Sequence, residues 1–110
     1  MLFETEKQGE VLIVRPLDMR LDASDAESFK EKLGQWIAEP NHAIVLDLCL
    51  VNFVDSSGLG AVVSVLKMMG KSGRIVVCNL QSPVGALFKL TRMDKVFSIF
   101  DDVTTAVAAL

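Results

Sequence analysis

The sequence predicts a small α/β domain built on a mixed sheet of about five strands covered by about four helices. Three observations carry that prediction. Short apolar runs rich in Val and Ile alternate with longer segments whose apolar residues recur at helical spacing. One run, Ala43-Ile44-Val45-Leu46-Asp47-Leu48, is apolar on both alternating faces, which suits a strand covered by helices on two sides. At 110 residues there is room for one core, so residues 1–110 read as one domain.

The elements follow in order. Phe3–Gln8 alternates weakly and Val11–Leu17 strongly, and Gly9-Glu10 between them reads as a hairpin turn. Asp22 is placed to cap the first helix, with Asp25 and Glu27 suiting its positive end. Ala26, Phe29, Leu33, Trp36 and Ile37 then share one face, and Pro40 closes the helix. After the strand Ala43–Leu48, a loop over Cys49–Val54 leads to Asp55-Ser56-Ser57-Gly58-Leu59-Gly60. A second helix runs from there to about Lys71 and ends at Ser72-Gly73. Arg74–Cys78 is the next strand, and a third helix opens with Ser82 as cap and Pro83 in its first turn. Val96–Phe100 reads as the last strand and Asp102–Leu110 as the last helix. No internal repeat or low-complexity segment interrupts this order.

Composition removes several functions. Apolar residues make up 51% of the chain, and 14 acids against 11 bases give a net charge of −3. A nucleic-acid binder would need a basic face to meet phosphates, so none is expected as a partner. Membrane insertion is not expected either. Between Asp55 and Lys67 the uncharged stretch Ser56–Leu66 is interrupted by Gly and Ser, and it falls short of the ~18 apolar residues a span takes. Glu4, Glu6 and Glu10 stand where a signal peptide would carry a basic head and an apolar core. Cys49 and Cys78 have no CxxC spacing and read as small apolar residues of a reducing compartment, which points to the cytoplasm.

The segment that carries chemistry is Asp55-Ser56-Ser57-Gly58-Leu59-Gly60. A helix start exposes unpaired N–H groups and a partial positive charge, which favour a phosphate. Gly58 and Gly60 remove side chains from the first turns, as close approach of a partner would require. Ser56 at the mouth would present a hydroxyl, although Ser56 or Ser57 as a plain helix cap fits the same residues. Along the second helix, Leu59, Val62, Val63, Leu66 and Met69 are expected to face the sheet. The other side carries Ser57, Ser64 and Lys71 with Ala61, Val65 and Met68, an apolar strip that suits a partner.

Catalytic readings lack their residues. His42 is the one histidine, Asp55-Ser56-Ser57-Gly58 is not a GxSxG elbow, and Gly58-x-Gly60 has Val63 where a dinucleotide loop has its third Gly. No His/Cys cluster has metal spacing, so the chain reads as a non-enzyme with no cofactor and no metal. A magnesium-dependent receiver with Asp55 as phospho-acceptor would need further carboxylates at the end of the first strands. Val14-Arg15-Pro16-Leu17-Asp18 supplies one acid and an arginine there.

The hexapeptide after Leu46-Asp47-Leu48, the chain length, the element order and Leu21-Asp22 before the first helix together resemble the anti-sigma-factor antagonists, the single-domain STAS proteins of bacteria, over essentially the whole chain. The resemblance implies that Ser56 is phosphorylated by a partner anti-sigma factor that is itself a serine kinase. It implies that the unphosphorylated form binds this kinase and frees the sigma factor, and that a PP2C-type phosphatase restores that form. Asp22, Asp55 and Ser57 match motif positions and, with Gly58, Leu59 and Gly60, are expected at the partner surface. Ala61, Ser64, Val65 and Met68 would continue that surface along the helix. The family's Gly-x-Leu-Asp segment reads Met19-Arg20-Leu21-Asp22 here, with Met19 in the Gly position. The same fold also serves as a scaffold or accessory module of a transporter or signalling assembly, in which Ser56 would only cap a helix.

Overall fold

Two-faced alternation in three neighbouring strands decides how the layers stack. The computed structural model describes residues 1–39, 43–69 and 73–110. Its strands are β1 (Phe3–Gln8), β2 (Val11–Pro16), β3 (Arg20–Leu21), β4 (Ala43–Asp47), β5 (Phe53–Val54), β6 (Arg74–Cys78) and β7 (Ile99–Phe100). Its helices are α1 (Ala26–Ala38), α2 (Ser56–Met69), α3 (Ser82–Leu90) and α4 (Val103–Ala108), with a single 3-10 turn at Met93–Lys95. The main sheet has five strands in the order β1-β2-β4-β6-β7. β1 and β2 form an antiparallel hairpin through Gly9, whose φ of 61° is the left-handed turn conformation glycine adopts without strain. The pairs β2·β4, β4·β6 and β6·β7 are parallel, which makes the sheet mixed.

On one face, Leu12, Val14, Ile44, Leu46, Ile75 and Val77 pack with Phe29 and Leu33 of α1, Val62 and Val65 of α2, and Val84 and Phe88 of α3. On the other face, Val11, Ile13, Val45, Val76 and Cys78 pack with Ala106 of α4. The apolar runs of β2, β4 and β6 are thus buried from both sides, as parallel strands between helices are. Cys49 and Cys78 are both free thiols, and burial pushes Cys78 up to about 12, so it stays protonated as a core residue. Among the described residues no helix is long and apolar enough to cross a membrane.

Four sequence expectations shift. Asp22 does not cap α1. Its carbonyl accepts from the N–H groups of Asp25 and Ala26, closing a turn over Ala23–Asp25, and the helix starts at Ala26. Ser82 opens α3 as its first residue, with Gln81 in the cap position. The Gln81 side chain donates instead to the Cys49 carbonyl at 2.7 Å. The last strand is only Ile99–Phe100, because Phe97 turns into the core beside Phe88, with ring centroids 6.0 Å apart. The loop expected over Cys49–Val54 contains β5, which pairs in parallel with β3 as a separate two-stranded ribbon. Pro40, His42, Lys71 and Ser72 lie outside the described residues.

One charge is buried at the carboxyl end of the central strand. Asp47 is 1% exposed and accepts from Arg15 Nε at 2.7 Å, Asn79 Nδ2 at 3.0 Å and its neighbour Cys49 N–H at 3.1 Å. Hydrogen bonding to Asp47 raises the Arg15 guanidinium further above its ordinary value, and the outer side of Arg15 pairs with Glu4. These contacts pin β2, β4 and the residue after β6 to one another where the chain leaves for the ribbon. Replacing Arg15→Met keeps most of the stem but leaves Asp47 buried without its cation. Removing one partner of a buried pair costs about 3 kcal/mol, so the urea midpoint falls accordingly, and Asp47→Asn in the same background recovers part of the loss.

Candidate functional site

The ribbon β3·β5 exists because the Met19–Asp22 segment and the Asn52–Asp55 segment run side by side. Asn52 and Phe53 N–H groups both donate to the Met19 carbonyl, at 2.8 and 3.2 Å, and Asp55 N–H donates to the Leu21 carbonyl at 3.3 Å. Arg20 pairs with Phe53 and Leu21 with Val54. Leu21 and Val54 are buried, while Arg20 and Phe53 face solvent.

Asp55 then does two jobs with one carboxylate. Oδ1 accepts from the Gly58 N–H at 2.8 Å, and its backbone carbonyl accepts from Leu59 N–H at 2.9 Å, which makes Asp55 the cap of α2. Oδ2 accepts from the Ala23 N–H at 3.2 Å, tying the mouth of α2 to the turn before α1. Neither serine is needed as a cap. Ser56 and Ser57 are the first two residues of α2, both exposed, and neither hydroxyl has a hydrogen-bond partner among the described residues.

The two glycines differ in role. Gly58 is buried, and a Cβ built on it would stand 2.1 Å from the Leu21 carbonyl oxygen and 2.9 Å from its carbon. It is therefore an internal packing glycine that lets β3 reach α2, which corrects the expectation that it opens the turn to a partner. At Gly60 an added Cβ meets nothing within 4 Å, and this residue is exposed. Ser64 is half-buried and its hydroxyl donates back to the Gly60 carbonyl at 2.9 Å.

The expected apolar strip is also corrected. Ala61 and Val65 are core residues, 2% and 0% exposed. α2 is flanked by α1 as well as by the sheet, so its buried arc holds Gly58, Ala61, Val62, Val65 and Met69. That arc is turned by roughly a quarter of a turn from a purely sheet-facing stripe. Leu59, Val63 and Leu66 are half-buried at its flank. Met68 stays exposed, with its Sδ 3.4 Å from where a Cβ on Gly34 of α1 would stand.

Exposed apolar surface lies instead on and around the ribbon. Met19 is 62% and Phe53 40% exposed, and the Arg20 guanidinium lies 4.1 Å from the Phe53 ring centroid. The residue at the Gly position of Met19-Arg20-Leu21-Asp22 was the available signal. Asp22 accepts from the Ser24 hydroxyl at 2.6 Å and the Ser24 N–H at 3.0 Å through Oδ1, and from Arg20 Nε at 3.4 Å through Oδ2. The Ser24 hydroxyl, then the Ser24 N–H, hold its carboxyl below the usual range. A groove of about 510 Å³ runs along this segment, lined by Leu17, Asp18, Met19, Arg20, Asp22 and Ser24. The structure therefore brings Asp22, Asp55, Ser56 and Ser57 together and leaves Gly60 open beside them, while Gly58, Ala61 and Val65 belong to the interior.

A five-stranded mixed sheet with this helix order, and an unengaged serine at a carboxylate-capped helix mouth, define a STAS-type module. Residues 3–106 match the STAS domain model, and the chain belongs to the STAS domain family. It is 32% identical over 109 residues to the anti-sigma F factor antagonist of Paenibacillus polymyxa, covering 97% of this chain and 92% of that protein. A crystal structure assigned to an anti-sigma factor antagonist of Thermotoga maritima matches with a TM-score of 0.89 at 25% identity, covering 97% of this chain and 92% of that one. The Bacillus cell fate determinant SpoIIAA in its phosphorylated form shares the fold, with a TM-score of 0.72 at 20% identity over 98% and 97% of the two chains.

The two glycines give a paired prediction. Gly58→Ala forces a methyl against the Leu21 carbonyl and should destabilise by about 3 kcal/mol, the upper end for overpacking. Gly60→Ala should stabilise by about 0.5–1 kcal/mol by removing backbone freedom from the unfolded chain. Urea melts of the two variants should move in opposite directions.

Proposed function

We propose that this chain is an anti-sigma-factor antagonist that works by partner switching, with Ser56 as its phosphoacceptor. The observation that carries the reading is the division of labour at the mouth of α2. Asp55 caps the helix, so the Ser56 hydroxyl is exposed and uncommitted. The 32% identical relative, itself an anti-sigma F factor antagonist, supports it.

In this account the unphosphorylated chain binds an anti-sigma factor that is a serine kinase, and the sigma factor is released. The kinase supplies ATP, magnesium and the base, and this chain supplies the acceptor. Ser56 Oγ attacks the γ-phosphorus, the bond to the ADP oxygen breaks, and the serine proton passes to the kinase's base. The product places about −1.5 to −2 charges beside Asp55 and Asp22. Like-charge repulsion and desolvation then oppose a close protein interface at that spot. Asp55 keeps both of its backbone contacts, so the fold persists. A PP2C-type phosphatase hydrolyses the ester and returns the chain to its binding form, and both steps take place in the cytoplasm. The surface offered to the kinase comprises Ser57, Gly60 and Asp22, together with Met68 farther along α2.

Incubation with the cognate kinase and ATP should add one phosphate, mapped by peptide mass spectrometry to Ser56, and Ser56→Ala should take up none. Phosphate on Ser57, or equal labelling of Ser56→Ala, would overturn the assignment.

A further inference from the structure

We propose that Arg20 is the internal receptor for the Ser56 phosphate, leaving Asp22 and the Phe53 ring to pair with it once the ester forms. This rests on the reading of Ser56 as phosphoacceptor and adds what the chain itself does with the new charge.

Position comes first. Arg20 is in register with Phe53 on the ribbon, and Ser56 lies three residues beyond Phe53. Strand alternation puts Arg20 and Phe53 on the solvent side, opposite the buried Leu21 and Val54. The Ala23 N–H to Asp55 Oδ2 contact closes the two segments together at the helix mouth, and the Arg20 guanidinium reaches along β3 toward that mouth, to Asp22.

Arg20 is also loosely held. Its side chain is 61% exposed, and its one ion pair is a single Nε contact of 3.4 Å to Asp22 Oδ2. The two terminal nitrogens, with four N–H donors, have no hydrogen-bond partner among the described residues. Asp22 meanwhile takes two shorter bonds from Ser24 through its other oxygen, so it is not orphaned when Arg20 moves. A phosphate dianion offers twice the charge of a carboxylate and three acceptor oxygens, matched by the guanidinium's fork.

The surrounding charge leaves few alternatives. Across residues 17–25 and 53–60 the charged side chains are Asp18, Asp22, Asp25 and Asp55 against Arg20 alone. The first turn of α2 adds no acid of its own. Among the side chains of these two segments, Arg20 is therefore the one cation a dianion at Ser56 could pair with, beside the N–H groups of the α2 mouth. Its movement would uncover the Phe53 ring, so the partner would meet a changed shape as well as a changed charge.

The test uses chain synthesised with phosphoserine already at position 56, which separates it from the kinase question. A chain that no kinase modifies still answers it, whereas failure of the Ser56 assignment is read from the labelling experiment. The second ionisation of the phosphate is followed by 31P NMR between pH 4.5 and 8 in the parent chain, R20Q and R20K. Pairing with a cation favours the dianion, so the parent should titrate at least about half a pH unit below R20Q, with R20K between them. The Phe53 ring resonances should shift between the unphosphorylated and phosphorylated parent, and stay put between the same two forms of R20Q. Superimposable titrations of the parent and R20Q, or a Phe53 shift that persists in R20Q, would overturn the proposal. R20K provides the same comparison if R20Q does not fold.

Discussion

The Asp55 carboxylate is the contact on which the site's geometry depends. Its two oxygens accept backbone N–H groups from opposite sides of the mouth, Gly58 in α2 and Ala23 in the turn before α1. The same residue's N–H donates to the Leu21 carbonyl, whose oxygen occupies the space a Cβ on Gly58 would need. Two segments distant in sequence, Leu21–Ala23 and Asp55–Gly58, are thereby tied together at the residue that precedes Ser56. Because an acid does the capping, the exposed Ser56 hydroxyl has no capping role. The cap and the proposed acceptor are separate residues, so a charge added to Ser56 would not remove the support that Asp55 gives.

The rest of the fold brings that carboxylate to its place. The central strands are buried from both sides, and their ends are anchored by Asp47, which binds Arg15, Asn79 and Cys49 N–H. From that anchored end the chain makes a short loop, adds the two-residue strand β5 to β3, and enters α2. The ribbon is short, yet it sets the distance between the Asp22 turn and the α2 mouth. Gly58 is the steric condition for this approach, since any side chain there would occupy the space of the Leu21 carbonyl.

Much of this was legible in the sequence. Runs such as Ile44-Val45-Leu46 and Ile75-Val76-Val77 mark two-faced strands, and Ala26, Phe29 and Leu33 mark the face of α1, because burial follows simple periodicity there. The ribbon was not legible. Two residues per strand leave no period to detect, and β3 and β5 are joined by backbone contacts that any side chains would allow. The burial of Ala61 and Val65 was missed because a helical wheel shows one face, whereas α2 has two neighbours, the sheet and α1. Gly58 looked like an access glycine because sequence shows only the missing side chain, not the carbonyl waiting beside it. The exposed pair Met19 and Phe53 lay in segments without regular spacing, and only the ribbon brought them together.

The proposed switch is local, a charge added on a helix mouth whose cap and core stay in place. Isothermal titration of the proposed partner, an anti-sigma serine kinase, with unphosphorylated chain and with chain carrying phosphate on Ser56 tests this most directly, with thermal melts of both forms recorded alongside. The account predicts binding weakened by about a hundredfold or more, on the scale of unpaired like charge at an interface, while the melting temperatures agree within a few degrees. Equal affinities, or an affinity loss accompanied by collapse of the melting transition, would contradict it.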